Sequence, residues 1–407
     1  SLQKKYSSGL VTVPTVGAGT VNTEFEILTG MRQHDFGVSE YPYKTVLKSK
    51  TSESICTDLK KLGYSTHAVH NNEATFYGRN TVFSNIGFDT FCSMEYMNGL
   101  TDSPNGWSND DVLSREIMKT LDSTSGPDFT MAITVQSHGK YDGIALDDPT
   151  IKVTGAPERK EQAYEYYVNE IHEVDRMIDT LIKELSNRKE ETVLVLYGDH
   201  LPSLDIQKDD LSNVNLYQTQ YVVWDNMNLK KKTKNLHAYQ LYAEVLDRIQ
   251  IHEGMITKYH QQTKHRSKLY LTGLTTLSYD LLYGDNYAYD GENPFKQTEL
   301  QMGTEPVKLT SVQKTKSGYR VVGSGFTPYC KVYYDGTLVE SEWISSGCLQ
   351  LQDEFELDEA DKKDSGEQET EVTEPRDVPN AFVVEVQSDD GVVLSSTQAY
   401  PASQVKK

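Results

Sequence analysis

Between Thr12 and Thr275, short apolar runs alternate with stretches whose apolar residues recur every three or four positions, the pattern of strands interleaved with helices. Thr192-Val-Leu-Val-Leu-Tyr197 reads as a buried strand, Ser65–His70 and Asp128–Val135 as two more, and Tyr217–Trp224 as a further one. Ser52–Leu62 predicts a helix stopped by Gly63. Glu158–Leu185 predicts a long amphipathic helix with Ala163, Tyr167, Ile171, Val174, Ile178, Leu181 and Leu185 on one stripe, and His237–Arg248 predicts another helix. Ser1–Gly9 is polar, so no buried strand is visible ahead of Leu10. The alternation predicts an α/β fold, a mainly parallel sheet sandwiched by helices with its reacting groups at the strands' carboxyl ends.

After Gly284 the pattern changes to short alternating strands punctuated by Gly318, Gly323, Gly325 and Asp335-Gly336, with Asp389-Asp-Gly391 as a hairpin turn. This predicts two domains, residues 1–300 for the α/β unit and residues 301–407 for a small all-β, immunoglobulin-like sandwich. Of the formal charge of −20, much is local: residues 353–377 carry twelve acidic side chains against three basic ones and read as a solvated, disordered insert. So acidic a chain is not expected to bind nucleic acid or an anionic lipid surface as its main partner, because both would repel it at long range. No apolar run approaches the roughly 20 residues of a membrane span. The opening of the chain reads instead as the cut edge of the outer part of a membrane protein. Cys330 and Cys348 are candidates to pair outside the cell, whereas Cys56 and Cys92 read as free thiols.

Two constellations carry chemistry. The Thr192 strand delivers Asp199 and His200, adjacent oxygen and nitrogen donors ahead of Pro202, to a strand end, an arrangement suited to a catalytic metal whose other ligands come from elsewhere. In Val16-Gly-Ala-Gly-Thr20, Gly17 and Gly19 allow close backbone approach, and Thr20 stands where a helix can continue with its first amides facing an anion. A threonine hydroxyl is a poor nucleophile alone and a usable one beside a divalent cation. Taken alone, Thr20 reads at least as well as a helix cap.

These motifs occur in order with Phe76-Tyr-Gly-Arg79, Gln136-Ser-His-Gly139 and Ile251-His-Glu-Gly254, and together they resemble the extracellular catalytic domains of lipoteichoic acid synthases and related phosphoglycerol transferases, in the alkaline phosphatase and sulfatase superfamily. The resemblance covers about Leu10 to Gln262. It implies that Thr20 attacks the phosphorus of a phosphatidylglycerol-type headgroup, forming a covalent glycerophosphoryl enzyme that passes the group to a polyol or glycan hydroxyl. It implies one divalent ion, manganese first with magnesium or zinc as alternatives, held by Thr20, Asp199 and His200. A glutamate on a first strand completes the family's ligand set; that strand is not in this sequence, so the glutamate is expected upstream of Ser1, in a protein held to the outer face of the membrane by a preceding segment.

By the same resemblance Arg79 holds phosphoryl oxygens, His138 serves the phosphate as a second catalytic group, and Tyr77 replaces a family tryptophan near the glycerol. His70 is a candidate neighbour of the substrate, while His67 and His252 read as locally satisfied. No cysteine has the Cys-x-Pro-x-Arg context of a formylglycine sulfatase. Two rival readings stand beside phosphotransfer: a hydrolase of the same superfamily that uses water as acceptor, and a catalytically silent glycan-binding protein of the cell envelope.

Overall fold

The computed structural model describes residues 2–156, 158–352, 355–357 and 374–406. The α/β part contains strands β1 (Ser7–Thr12), β2 (Ser65–His70), β3 (Thr90–Cys92), β4 (Asp128–Ile133), β5 (Val193–Tyr197), β6 (Gln218–Asp225), β7 (Leu236–His237) and β8 (Gln301–Met302). They form two sheets among the described residues. One, in the order β4-β2-β3-β8, is parallel throughout. The other, β5-β6-β1-β7, is mixed: β6 runs antiparallel to both β5 and β1, and β7 runs parallel to β1.

Hydropathy conceals β1. Its first residues are serines, yet Ser7 and Ser8 are buried, and the Ser7 hydroxyl accepts a hydrogen bond from the Lys232 amide at 2.9 Å. The polar start of the chain therefore holds a sheet strand, against the expectation of none ahead of Leu10. Helices cover both sheets. Phe25 and Leu28 of the Thr20–Thr29 helix and Leu246 of the Ala238–Arg248 helix belong to one continuous core with Phe83, Phe88 and Phe91. The Glu158–Asn187 helix buries Ala163, Leu181 and Leu185 of the expected stripe and packs its Tyr167, Val174 and Ile178 against buried clusters, but it exposes Ile171 and buries Tyr166 and Met177 as well. No helix among the described residues is long and apolar enough to cross a membrane.

The C-terminal part packs two antiparallel sheets face to face around Val312, Tyr319, Val321, Phe326, Val332, Phe382 and Val384. Thr327 donates to the Glu95 carbonyl at 2.6 Å, and Tyr96 meets Ser395 at 2.7 Å, so this part docks on the segment after β3. Two expectations change here. Cys330 and Cys348 lie on strands of opposite sheets and stay free, as do Cys56 and Cys92. The acidic insert is not wholly solvated: Leu357 is buried in the sandwich core with Phe355 against it, and Arg376 pairs with the carboxylate of the buried Glu385. Residues 353, 354 and 358–373 of the insert lie outside the described residues.

Buried acids make stability depend on pH. Burial pushes the Glu26 carboxyl up to about 8, against the amide of Gln33, which donates to it at 3.0 Å. A group with a raised folded pKa binds its proton more tightly in the native state, so the stability it contributes is complete below the unfolded value of 4.5 and is lost as pH rises through about 8. Asp58, pushed to about 8 by burial and then by Glu53, acts in the same direction. The urea midpoint is expected to fall between pH 5 and pH 9. Glu26→Gln should flatten that slope, and an unchanged slope in the variant would remove Glu26 from the explanation.

Candidate active site

The site forms where the Thr20–Thr29 helix begins and β5 ends. Gly19, with φ at 94°, caps the helix in the left-handed region, and a Cβ there would lie 2.8 Å from the Thr15 hydroxyl oxygen, so the turn demands glycine. The turn is tied to the β5 side by the Gly17 amide, which donates to the Leu201 carbonyl at 2.9 Å, and by the Thr23 hydroxyl, which donates to the Asp199 carbonyl at 2.7 Å. These two bonds place the first helical turn directly over the Asp-His pair.

Thr20, Asp199 and His200 converge. Thr20 Oγ1 lies 3.4 Å from His200 Nε2, and Asp199 Oδ2 lies 3.3 Å from the same nitrogen. His200 Nδ1 faces the Leu201 carbonyl at 2.8 Å. A carbonyl only accepts, so Nδ1 carries the proton and Nε2 presents its lone pair to Thr20 and Asp199. The Asp199 side chain is about one-third exposed and that of His200 9 % exposed, which leaves the pair reachable from solvent.

A cation fits this set. Ligands about 2.1 Å from a tetrahedrally coordinated ion sit about 3.4 Å from one another, close to the two separations found. The carbonyl-fixed tautomer is also how metal-binding imidazoles are commonly oriented. No cluster of three His, Cys, Asp or Glu side chains able to hold a metal occurs among the described residues, so a cation here would need the Thr20 hydroxyl and a further donor beside Asp199 and His200.

The remaining candidates surround this centre unevenly. His138, five residues past β4, has its ring 6.2 Å from that of His200. Its Nδ1 donates to the Gly139 carbonyl at 3.0 Å, which leaves Nε2 free. Trp107 packs edge-on against the His138 ring and donates from Nε1 to the Gly139 carbonyl at 2.7 Å, fixing the loop. Arg79 is buried at the start of the Arg79–Asn85 helix, and its fork is engaged: Nε and Nη2 donate to the two oxygens of Glu24 at 3.2 and 2.6 Å. Glu24 lies one turn along the helix from Thr20. Tyr77, held at φ 60°, stacks on Tyr41 at 6.0 Å, and the Lys44 ammonium lies about 5 Å from both rings. His70 is fully buried and bonded through Nδ1 to the Ile133 carbonyl at 2.9 Å. Burial first, and the nearby Arg79 cation second, hold its pKa well below the ordinary value, so it stays neutral.

Sequence reasoning missed Glu24, Tyr41, Lys44 and Trp107. For Glu24 a signal existed: in Val21-Asn-Thr-Glu-Phe-Glu-Ile-Leu28, two acids interrupt a segment that is otherwise ready for burial, and a buried acid calls for a cation. For the other three there was none, because their roles arise only from loops meeting in space.

A family model for sulfatases matches residues 1–293. The putative cyclic β-1,2-glucan modification protein of Rhizobium meliloti is 30 % identical over 247 residues, covering 56 % of this chain and 38 % of that protein. Lipoteichoic acid synthase 2 of Bacillus subtilis is 24 % identical over 48 % of this chain and 30 % of its own length. The chain therefore spans well under half the length of these relatives. Among solved structures, the Streptococcus pyogenes phosphoglycerol transferase GacH in complex with sn-glycerol-1-phosphate has the same fold, with TM-score 0.60 and 21 % identity over 73 % of this chain and 81 % of that one. The lipoteichoic acid synthase LtaP from Listeria monocytogenes follows with TM-score 0.51 and 18 % identity over 63 % and 68 %. With this fold, this match and the meeting of Thr20, Asp199 and His200, the chain belongs to the sulfatase family of the alkaline phosphatase and sulfatase superfamily, among whose members it resembles the lipoteichoic acid synthases and phosphoglycerol transferases.

Proposed function

We propose that the protein is a metal-dependent phosphotransferase of the outer cell envelope, moving glycerophosphate from a phosphatidylglycerol-type lipid to a polyol or glycan hydroxyl. The observation that carries this reading is the convergence of the Thr20 hydroxyl on Asp199 and on the bare Nε2 of His200. Thr20, Asp199 and His200 would hold one divalent cation, manganese in the first instance, and when bound it would lower the pKa of the Thr20 hydroxyl and neutralise phosphoryl charge. Thr20 Oγ1 then forms a bond to phosphorus as the bond to the diacylglycerol oxygen breaks. His138 Nε2 takes the Thr20 proton and passes it to that leaving oxygen and, in the second half-reaction, takes one from the acceptor hydroxyl and returns it to Thr20 Oγ1 as the Thr20–phosphorus bond breaks. Tyr77 and Tyr41, with the Lys44 cation above them, offer a wall for the glycerol and a charge for its phosphate. Arg79 spends two donors on Glu24 and a third, from Nη1, on the Phe76 carbonyl at 3.5 Å; the two N–H groups beyond these are those available to the phosphoryl oxygens. Residues 1–300 would carry the chemistry, and the sandwich of residues 301–407 would act as an accessory unit.

The test uses the protein with its membrane-proximal sequence intact. Chelation should remove activity and manganese should restore it; full activity in the chelated protein would contradict the reading. Analysis of products with and without a glycan acceptor separates transfer from hydrolysis. Release of free glycerophosphate at an unchanged rate when acceptor is present would assign the protein to the hydrolases.

A further inference from the structure

The His138 loop is gripped by a small hairpin that no step of the proposed reaction uses. An Asp102–Ser108 bridge closes it, and its tip is Ser103-Pro-Asn-Gly-Trp107. The tip is tied by its own bonds. The Ser103 amide donates to the Trp107 carbonyl at 2.8 Å, and Asn105 Oδ1 accepts the Trp107 amide at 3.3 Å and the Ser103 hydroxyl at 2.7 Å. With Oδ1 so occupied, Asn105 turns its Nδ2 outward and donates to the His138 carbonyl at 2.9 Å. Two residues past the bridge, Asp110 holds the base of the same loop. Its Oδ1 accepts the Val135 and Gln136 amides at 2.9 and 3.3 Å, while the Asp110 amide donates to Gln136 Oε1 at 2.8 Å. Residues 103–110 therefore carry the loop at both ends, ahead of His138 and after it.

Taking His138 Nε2 as the proton carrier of the proposed reaction, we propose that Trp107 is a positioning residue for that proton transfer, acting through the Gly139 carbonyl to keep Nε2 bare. A carbonyl oxygen has two lone pairs. At Gly139 one takes the Trp107 indole N–H at 2.7 Å and the other takes the His138 Nδ1–H at 3.0 Å. The shorter bond comes from the group that only donates, so the indole sets where the carbonyl points and the imidazole follows. Such a hold is needed, because Gly139 has no side chain to limit the rotation of its own peptide units. A neutral imidazole carries a single ring proton, and the hydrogen bond made at one nitrogen decides which of the two keeps it. With the carbonyl fixed in front of Nδ1 the proton stays there, and Nε2 offers the lone pair that accepts the Thr20 proton. Released from that carbonyl, the ring would turn to the tautomer an unconstrained histidine prefers, and Nε2 would enter the reaction already protonated. The indole adds a second hold: it packs edge-on against the imidazole with centroids 5.2 Å apart, which opposes a flip of the ring. Asn105, by fixing the His138 carbonyl, keeps the preceding peptide from turning in the same way.

The first measurement needs no turnover. In the 407-residue chain with isotopically labelled histidine nitrogens, the ring signals of His138 are assigned by their loss in His138→Gln. At a pH where the ring is neutral, magnetic resonance should show Nδ1 protonated and Nε2 bare. Trp107→Phe keeps an aromatic ring beside the imidazole and deletes the indole N–H; in that variant at least about half of His138 should carry its proton on Nε2. Turnover is then compared in a cycle of variants. Trp107→Phe should lower kcat about tenfold or more with KM changed less than about twofold. In a His138→Ala background the same substitution should cost less than about a further twofold, because a residue that acts through another has nothing left to act on. A His138 with its proton on Nε2 in the parent protein, a Trp107→Phe variant with the parent's tautomer, or equal losses in the two backgrounds would each overturn the proposal, the last by placing Trp107 on the substrate itself. Full turnover in His138→Ala would overturn it together with the proposed role of His138, and is told apart from the other failures because the tautomer would still respond to Trp107→Phe.

Discussion

Replacing Thr20 by alanine is expected to reduce turnover by roughly 10⁴-fold or more, the scale on which loss of a covalent nucleophile is felt, while the urea midpoint stays where it was. The geometry separates the two effects. Gly19 already caps the helix, so the hydroxyl of Thr20 is not needed to start it. The contact given up is the 3.4 Å approach to His200 Nε2, and alanine is at least as good a helix former as threonine. Thr20→Ser should keep a measurable fraction of the activity, because it retains the oxygen and loses only a methyl group. Mass spectrometry of the protein mixed with phosphatidylglycerol vesicles should show a single glycerophosphoryl adduct on the Thr20 peptide of the parent protein and none on the alanine variant. Full activity in Thr20→Ala would end the covalent scheme.

The second large effect is on stability and comes from Glu24. The Arg79 guanidinium is 1 % exposed, with Glu24 equally buried against it in a two-bond pairing. Glu24→Leu would strand that cation away from water, at a cost of about 3–5 kcal/mol in denaturant unfolding. Replacing both partners, Glu24→Leu with Arg79→Met, should recover most of the loss, since an apolar pair of similar volume avoids the desolvation penalty. Activity should not recover with it. If Arg79 uses its remaining donors on the phosphoryl group, the double variant will be stable and slow; if it is stable and fully active, Arg79 serves the fold alone.

The contrast between these two residues shows where the sequence was informative. Thr20, Asp199 and His200 were legible because each sits at a punctuated element end: a glycine turn before a helix, and a polar couplet after five consecutive buried-type residues. Chemistry at element ends survives in one dimension. The partner of Arg79 did not, because Glu24 lies far away in sequence and nothing local specifies which buried acid meets which buried base. Strand direction was hidden for a similar reason. The apolar run of β6 looks the same whether it pairs parallel or antiparallel, and it is the β5–β6 register, from Val193 opposite Asp225 to Tyr197 opposite Tyr221, that fixes it. β1 escaped notice because its serines are buried as hydrogen-bonding groups instead of being replaced by apolar ones. In the acidic insert, Phe355 and Leu357 were outweighed by the surrounding charge, although two apolar side chains suffice to pin one end of a loop into a core.

The central claim is spatial, that one cation is shared by the helix-start hydroxyl and the strand-end pair. Anomalous scattering from a crystal soaked in manganese reads it directly. The account predicts one strong peak within about 2.0–2.3 Å of Thr20 Oγ1, a carboxylate oxygen of Asp199 and His200 Nε2. A peak bound elsewhere, or a Thr20 hydroxyl turned away from an ion held by Asp199 and His200, would contradict it.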